Sequence, residues 1–191
     1  MPAVVDIVNR ALVSLGAATI VALDQGGTAA DSAQAIWTQV RDDVLRSHPW
    51  KCCSARAELP ALADAPAFEY DVAYQLPSDW LRMIEVNGLL WPLAGWKVEG
   101  RKLLTNDGAP CQIVYVRREE DTNLYDPELV TALAAQLAYE LAPKLSALPT
   151  REDRAEKKAE LALSKAKGTD ALEEDLVENP LEGGWTSARY E

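Results

Sequence analysis

The sequence predicts an α+β fold: a four-helix bundle formed by N- and C-terminal helices, with an inserted small antiparallel β module and an extended C-terminal arm. Three observations predict it. Apolar residues recur at helical spacing near both ends of the chain, at every second position in the middle, and without any period beyond Asp175. An amphipathic helix needs a partner for its apolar stripe, and the nearest partners are the other helices. The expected organisation is therefore residues 1–50 and 125–174 as the bundle, 51–124 as the β module and 175–191 as the arm.

Each element follows from local pattern. Val4, Val5, Val8, Leu12 and Leu15 form one stripe, and Gly16 is placed to close a first, short helix. After the loop Leu23-Asp24-Gln25-Gly26-Gly27, Thr28 and Asp31 have capping-box spacing ahead of Ala29, Ala33, Ile36, Trp37, Val40 and Val44. This second helix ends by His48, because Pro49 disfavours helical geometry in the residue before it. The period then becomes two. Phe68, Tyr70, Val72 and Tyr74 alternate with polar or small residues up to Leu76-Pro77. Further strands are expected at Leu81–Val86, Leu89–Leu93, Trp96–Glu99, Lys102–Thr105 and Cys111–Arg117, separated by Asn-Gly, Gly and Asn-Asp-Gly turns. Asp126-Pro127-Glu128 opens a third helix, which Pro143 kinks or ends. A fourth helix runs from Thr150, boxed by Asp153, through Lys167 to a stop at Gly168, with a narrow inward face of Ala155, Ala159, Ala162 and Ala166.

Composition bounds the function without choosing it. With 191 residues and 48% hydrophobic content the chain can bury one good core, or one core with a smaller satellite, unaided. No window approaches the roughly 18 apolar residues of a membrane span, and the N-terminal MPAVVDIVNR carries an acid where a secretory signal has its basic region. A protein made and kept in the cytoplasm is expected. Its three cysteines cannot all pair, and Cys52 and Cys53 are adjacent, so a disulfide scaffold is not expected. Of the net charge of −11, residues 119–191 carry −9, from 17 acids and 8 bases. Such a chain repels phosphate over most of its surface, which argues against a sequence-reading nucleic-acid binder yet suits a wall that DNA slides past.

Candidate chemistry is sparse. His48, Cys52 and Cys53 invite a zinc or thiol-nucleophile reading, but structural zinc takes four ligands and the chain has one histidine. Packing residues at a helix end are the simpler reading, with His48 facing the last carbonyls of the second helix. Asp42-Asp43 and Glu119-Glu120-Asp121 read as solvated charge on a helix surface and a loop. Phosphate-loop, dinucleotide, zinc-protease and nucleophile-elbow motifs are missing from the sequence, so no catalytic residue, metal ligand or cofactor site is assigned. In Arg41–Trp50, Asp42 and Arg46 stand at i,i+4 and Pro49-Trp50 stops the helix as the chain enters its first strand. Local physics makes this a weak ion pair and a packed tryptophan.

The segments ALVSLGAATIVALDQ (11–25), RDDVLRSHPWKCCSAR (41–56), AYQLPSDWLRMIEV (73–86) and WTSARY (185–190) together resemble the tail tubular protein A family, the head-to-tail adaptors of short-tailed, T7-like bacteriophages. The resemblance covers most of the chain in order. Its matching positions include Leu15, Gly16, Arg41, Asp42, Leu45, His48, Pro49, Trp50, Tyr74, Leu76, Pro77, Asp79, Leu81 and Arg82. The chain departs from the family pattern at Lys51-Cys52-Cys53 and in the acidic stretch before the terminal Trp185.

The resemblance implies a non-enzymatic virion neck subunit, assembled in the host cytoplasm, in a dodecameric ring between the portal protein and the next tail component, a nozzle or tail tubular protein B-like subunit. DNA would be passing cargo, with no cofactor and no membrane involved. Arg41, Asp42, Arg46, His48, Pro49, Trp50, Tyr74, Leu76, Pro77 and Arg82 would form a structural junction, and Trp185, Arg189 and Tyr190 would anchor the arm to a partner. A tail-completion or stopper protein of another virion lineage, and a small cytosolic helical-bundle enzyme or regulator, are the competing expectations.

Overall fold

A computed structural model of the chain describes residues 3–90, 95–146 and 149–172. The expected arm, with Trp185, Arg189 and Tyr190, lies outside the described residues. The helices are α1 (Val4–Leu15), α2 (Thr28–Arg46), α3 (Pro127–Leu145) and α4 (Pro149–Leu172). Among the described residues seven strands run between α2 and α3: β1 (Ser54–Leu59), β2 (Val72–Gln75), β3 (Trp80–Val86), β4 (Leu89–Leu90), β5 (Trp96–Glu99), β6 (Lys102–Thr105) and β7 (Cys111–Arg117).

The expected four-helix bundle with a small β module is corrected here. The fold is α+β with four helices and two sizeable antiparallel sheets, of order β1-β7-β3-β4 and β2-β6-β5. The error is physical: helical stripes were matched only to other helices, whereas the strands also bury a face against one another and build a second core. Leu59, Tyr74, Leu76, Met83, Val86, Leu103, Cys111, Ile113 and Tyr115 fill the space between the sheets. The helical core gathers Leu12 and Leu15 of α1, Val44 and Leu45 of α2, and Leu129, Leu133, Leu137 and Leu141 of α3. α3 touches all three other helices, with α4 laid along it.

The two cores share a pair of strands. Along β7, Cys111, Ile113 and Tyr115 point between the sheets, while Val116 joins the helical core. Along β3, register shifts fall between Trp80 and Arg82 and between Met83 and Glu85, so Leu81 enters the helical core and Met83 the inter-sheet core. β7 alternates strictly and serves one core from each face. In β3 the irregular register re-aims Leu81, which would share the face of Met83 under strict alternation, so that it reaches the helical core.

Smaller expectations also change. α2 is capped by Gly27, whose backbone accepts from Asp31 N–H at 2.9 Å, in place of the Thr28/Asp31 box. The alternation from Phe68 becomes strand only at Val72, and Phe68 is 80% exposed. β1, the strand expected after Trp50, spans SARAEL, and alanine at two of its alternating positions leaves its extent unmarked in the sequence. α3 runs through Pro143, which falls in the last turn, so the bond that its missing N–H forgoes lies at the helix end. α4 starts at Pro149 and continues past Gly168 to Leu172, because Ala166 and Asp170 are both buried on its inner face.

Candidate functional site

The Arg41–Trp50 segment forms the joint between the helical layer and the sheets. Arg41 is 6% exposed despite its charge. Its Nε donates to Asp42 Oδ1 at 3.0 Å and its Nη1 to Glu120 Oε1 at 3.4 Å. Asp42 Oδ2 in turn accepts from Arg118 Nε at 2.7 Å, just beyond the end of β7. One carboxylate thus lies between two guanidiniums, one from α2 and one from the sheet side. Charge-assisted bonds of this kind are the stronger class, and the partial burial of Asp42 limits their screening.

Arg46 does not form the expected pair with Asp42. Its Nη1 donates to the Leu81 carbonyl of β3, and its guanidinium stacks over the Trp80 ring at 5.7 Å. Arg82 reaches back, donating from Nη1 to the Arg46 carbonyl at 3.4 Å. α2 and β3 are therefore tied in both directions.

Trp50 is 1% exposed and its Nε1 donates to the Val44 carbonyl at 2.9 Å, tying the ring to the last turn of α2. His48 meets the Trp50 ring edge-on, with centroids 4.8 Å apart. Its Nε2 lies 2.9 Å from Asp170 Oδ2 of α4, so it does not face the α2 carbonyls as expected. Lys51 N–H donates to Asp170 Oδ1 at 3.1 Å, and the Lys51 ammonium bonds the Asp170 carbonyl. Asp170, 122 residues from His48, fastens the last turns of α4 to the joint.

The other predicted residues sit elsewhere. Tyr74 and Leu76 are buried between the sheets, with Tyr74 donating its hydroxyl to the Asp107 carbonyl at 3.0 Å. The Pro77 carbonyl accepts from Arg101 Nη2 at 2.7 Å. The structure thus brings Arg41, Asp42, Arg46, His48, Trp50 and Arg82 together at the α2 end and leaves Tyr74 and Leu76 to the second core, with Pro77 half-buried after β2.

Sequence reasoning missed Arg118, Glu119, Tyr125 and Asp170. Glu119, expected in solvent, is 7% exposed; its Oε1 accepts from Asp121 N–H at 2.9 Å and its other oxygen pairs with Arg117. Tyr125 donates its hydroxyl to the Glu119 carbonyl at 2.5 Å, and burial raises its ionisation above the usual range. A bond from Cys52, followed by burial, likewise holds Cys53 protonated, with the two sulfurs 3.7 Å apart. A thiol so held is a poor nucleophile. Nothing in the local pattern marks Arg118 and Asp170, whose partners lie 76 and 122 residues away, and the buried turn that joins Glu119 to Asp121 and Tyr125 has no periodicity to show it.

Among the described residues no cluster of three or more His, Cys, Asp or Glu could hold a metal ion, and no helix is long and apolar enough to cross a membrane. A concavity of about 530 Å³ lies on the three-stranded sheet beside the 64–70 loop, remote from this joint. What the joint can do chemically is hold two layers in fixed register. No protein-family model matches the chain, and no curated protein matches it.

Proposed function

We propose that the chain is a structural head-to-tail adaptor subunit of a bacteriophage virion, one copy of a ring that joins the portal protein to the next tail component and leaves a conduit for the ejected genome. It acts without catalysis or cofactor, at the virion neck, with DNA as passing cargo. One observation carries the reading beyond the sequence resemblance: Arg46 donates to the Leu81 carbonyl of β3 and Asp42 accepts from Arg118 beyond β7, fixing α2 to the sheet, while His48 ties the same joint to Asp170 of α4 beside the buried Trp50. A conduit subunit has to transmit load between layers without yielding, and a joint of charge-assisted bonds around a buried tryptophan suits that task.

Electron microscopy of the purified protein, alone and mixed with a portal complex, tests the reading. Rings, or particles decorating the portal end, are expected. Obligate monomers that never associate with portal would sink it. Truncation at Asp175 tests the arm separately, since unchanged portal association would remove its docking role.

A further inference from the structure

α4 carries opposite charge on its two flanks. At 100° per residue its buried centre runs along Ala155, Ala159 and Ala166, which are 7%, 3% and 1% exposed against the rest of the helical layer. Arg151, Arg154 and Lys158 fall on the flank toward α1, and Glu152, Glu156 and Glu160 on the opposite flank. Lys157 stands on the outward face between them, Lys165 is engaged by Glu128 at 2.9 Å, and Lys167 lies beyond the last glutamate.

Each flank borders a concavity. On the α1 side one of about 440 Å³ is lined by Val13, Ser14, Gly16, Arg151, Arg154 and Lys158, with Val13 63% exposed. On the α2 side one of about 150 Å³ is lined by Val40, Asp43, Glu140 and Leu163, which adds two acids to the glutamate flank. The first is basic with an apolar residue in it, and the second is acidic with apolar residues in it.

We infer that these flanks bind each other between copies of this chain: the Arg151/Arg154/Lys158 groove of one copy takes the Glu156/Glu160 flank of the next. The inference rests on the ring reading and names its contact surface. The two flanks face away from each other across α4, so they cannot satisfy one another within a molecule. A head-to-tail contact with two different surfaces propagates in one direction and closes when the rotation per copy allows. Complementary charge also rejects the reversed docking, in which like charges meet.

Reversal of one flank at a time provides the test, using exposed residues on each side: Arg154→Glu with Lys158→Glu, and Glu156→Lys with Glu160→Lys. Wild-type self-association, followed by sedimentation velocity, should weaken as salt is raised. Each reversed variant alone should associate at least about tenfold more weakly than wild type. An equimolar mixture of the two should recover association, because one variant then has two acidic flanks and the other two basic ones. Recovery also demonstrates that both variants fold. Singles that associate as wild type does, a mixture as dissociated as its components, or a wild type monomeric at high concentration and low salt would each overturn the inference. Reversed variants that still form rings on portal would remove this contact while leaving the ring reading intact.

Discussion

The two cores of this protein are built on different terms. The helical core is mostly aliphatic, with Trp37, Trp50 and Tyr125 as its rings, and draws much of its membership from the far ends of the chain: Leu12 and Leu15 near the start, Leu129 to Leu141 and Ala166 near the end. The inter-sheet core comes entirely from the middle and mixes in polar-tipped groups, with Tyr74 bonded to the Asp107 carbonyl and Tyr115 to Asp79 Oδ1 at 3.2 Å. Stability in the first is mostly area removed from water. In the second it also depends on a few tethered hydroxyls, and buried polar groups cost more when one partner is lost than when both are absent. The joint at Arg41–Trp50 links the two through the bonds from Arg46 to Leu81 and from Arg118 to Asp42.

The largest effect should come from Trp50→Ala, which removes a buried ring from the helical core and an Nε1 donor from the end of α2. A loss of about 3–5 kcal/mol in denaturant unfolding is expected. Asp42→Ala should cost less, about 2 kcal/mol: it strands the buried Arg41, while Arg118, 36% exposed, regains water. Hydrogen exchange by region would then sharpen the comparison. In this variant, protection in α1 and α3 should fall more than protection in β5 and β6, and equal loss in both would mean that the joint does not couple the cores. Tyr74→Phe leaves the Asp107 carbonyl short of a partner and should cost about 1 kcal/mol, with protection falling first between the sheets.

The smallest expected effect is on alkaline stability. Burial, followed by the nearby Asp107, pushes the Cys111 thiol up from 9.0 to about 11. Because the folded value is raised, this contribution is fully present below pH 9 and is lost as pH rises through about 11. Burial raises Tyr74 and Tyr115 in the same direction, so the inter-sheet core should weaken over that window. Cys111→Ala should shallow the slope of stability against pH between those values, and a slope identical to wild type would assign the effect elsewhere.

What the sequence disclosed was local. Gly16 closing α1 at φ 71°, Pro127 at the first position of α3, and β5, β6 and β7 to the residue all follow from short-range pattern. What it hid was pairing. Nothing in SARAEL states that Ala55 will stand opposite Tyr115, nor that β2 and β6 will leave the four-stranded sheet to form another. The joint was legible as a position and illegible as a mechanism. Asp42 is adjacent to Arg41, but Arg118 and Asp170 lie 76 and 122 residues from their partners, and no periodicity carries such information. Period two also does not show the faces of β3, where register shifts send Leu81 and Met83 to different cores.

One consequence concerns the order in which the molecule can assemble as it is synthesised. The first helix ends on Gly16, over which the Arg151 guanidinium lies, donating from Nη1 to the Leu15 carbonyl at 2.7 Å. That cap is 136 residues downstream, and the main apolar partner of α1 is α3. Closing so long a loop is slow compared with forming neighbouring strands. A nascent chain would therefore complete its sheets first and hold the N-terminal helix unsealed until α3 and the first turn of α4 have left the ribosome, so the protein closes from its middle outward.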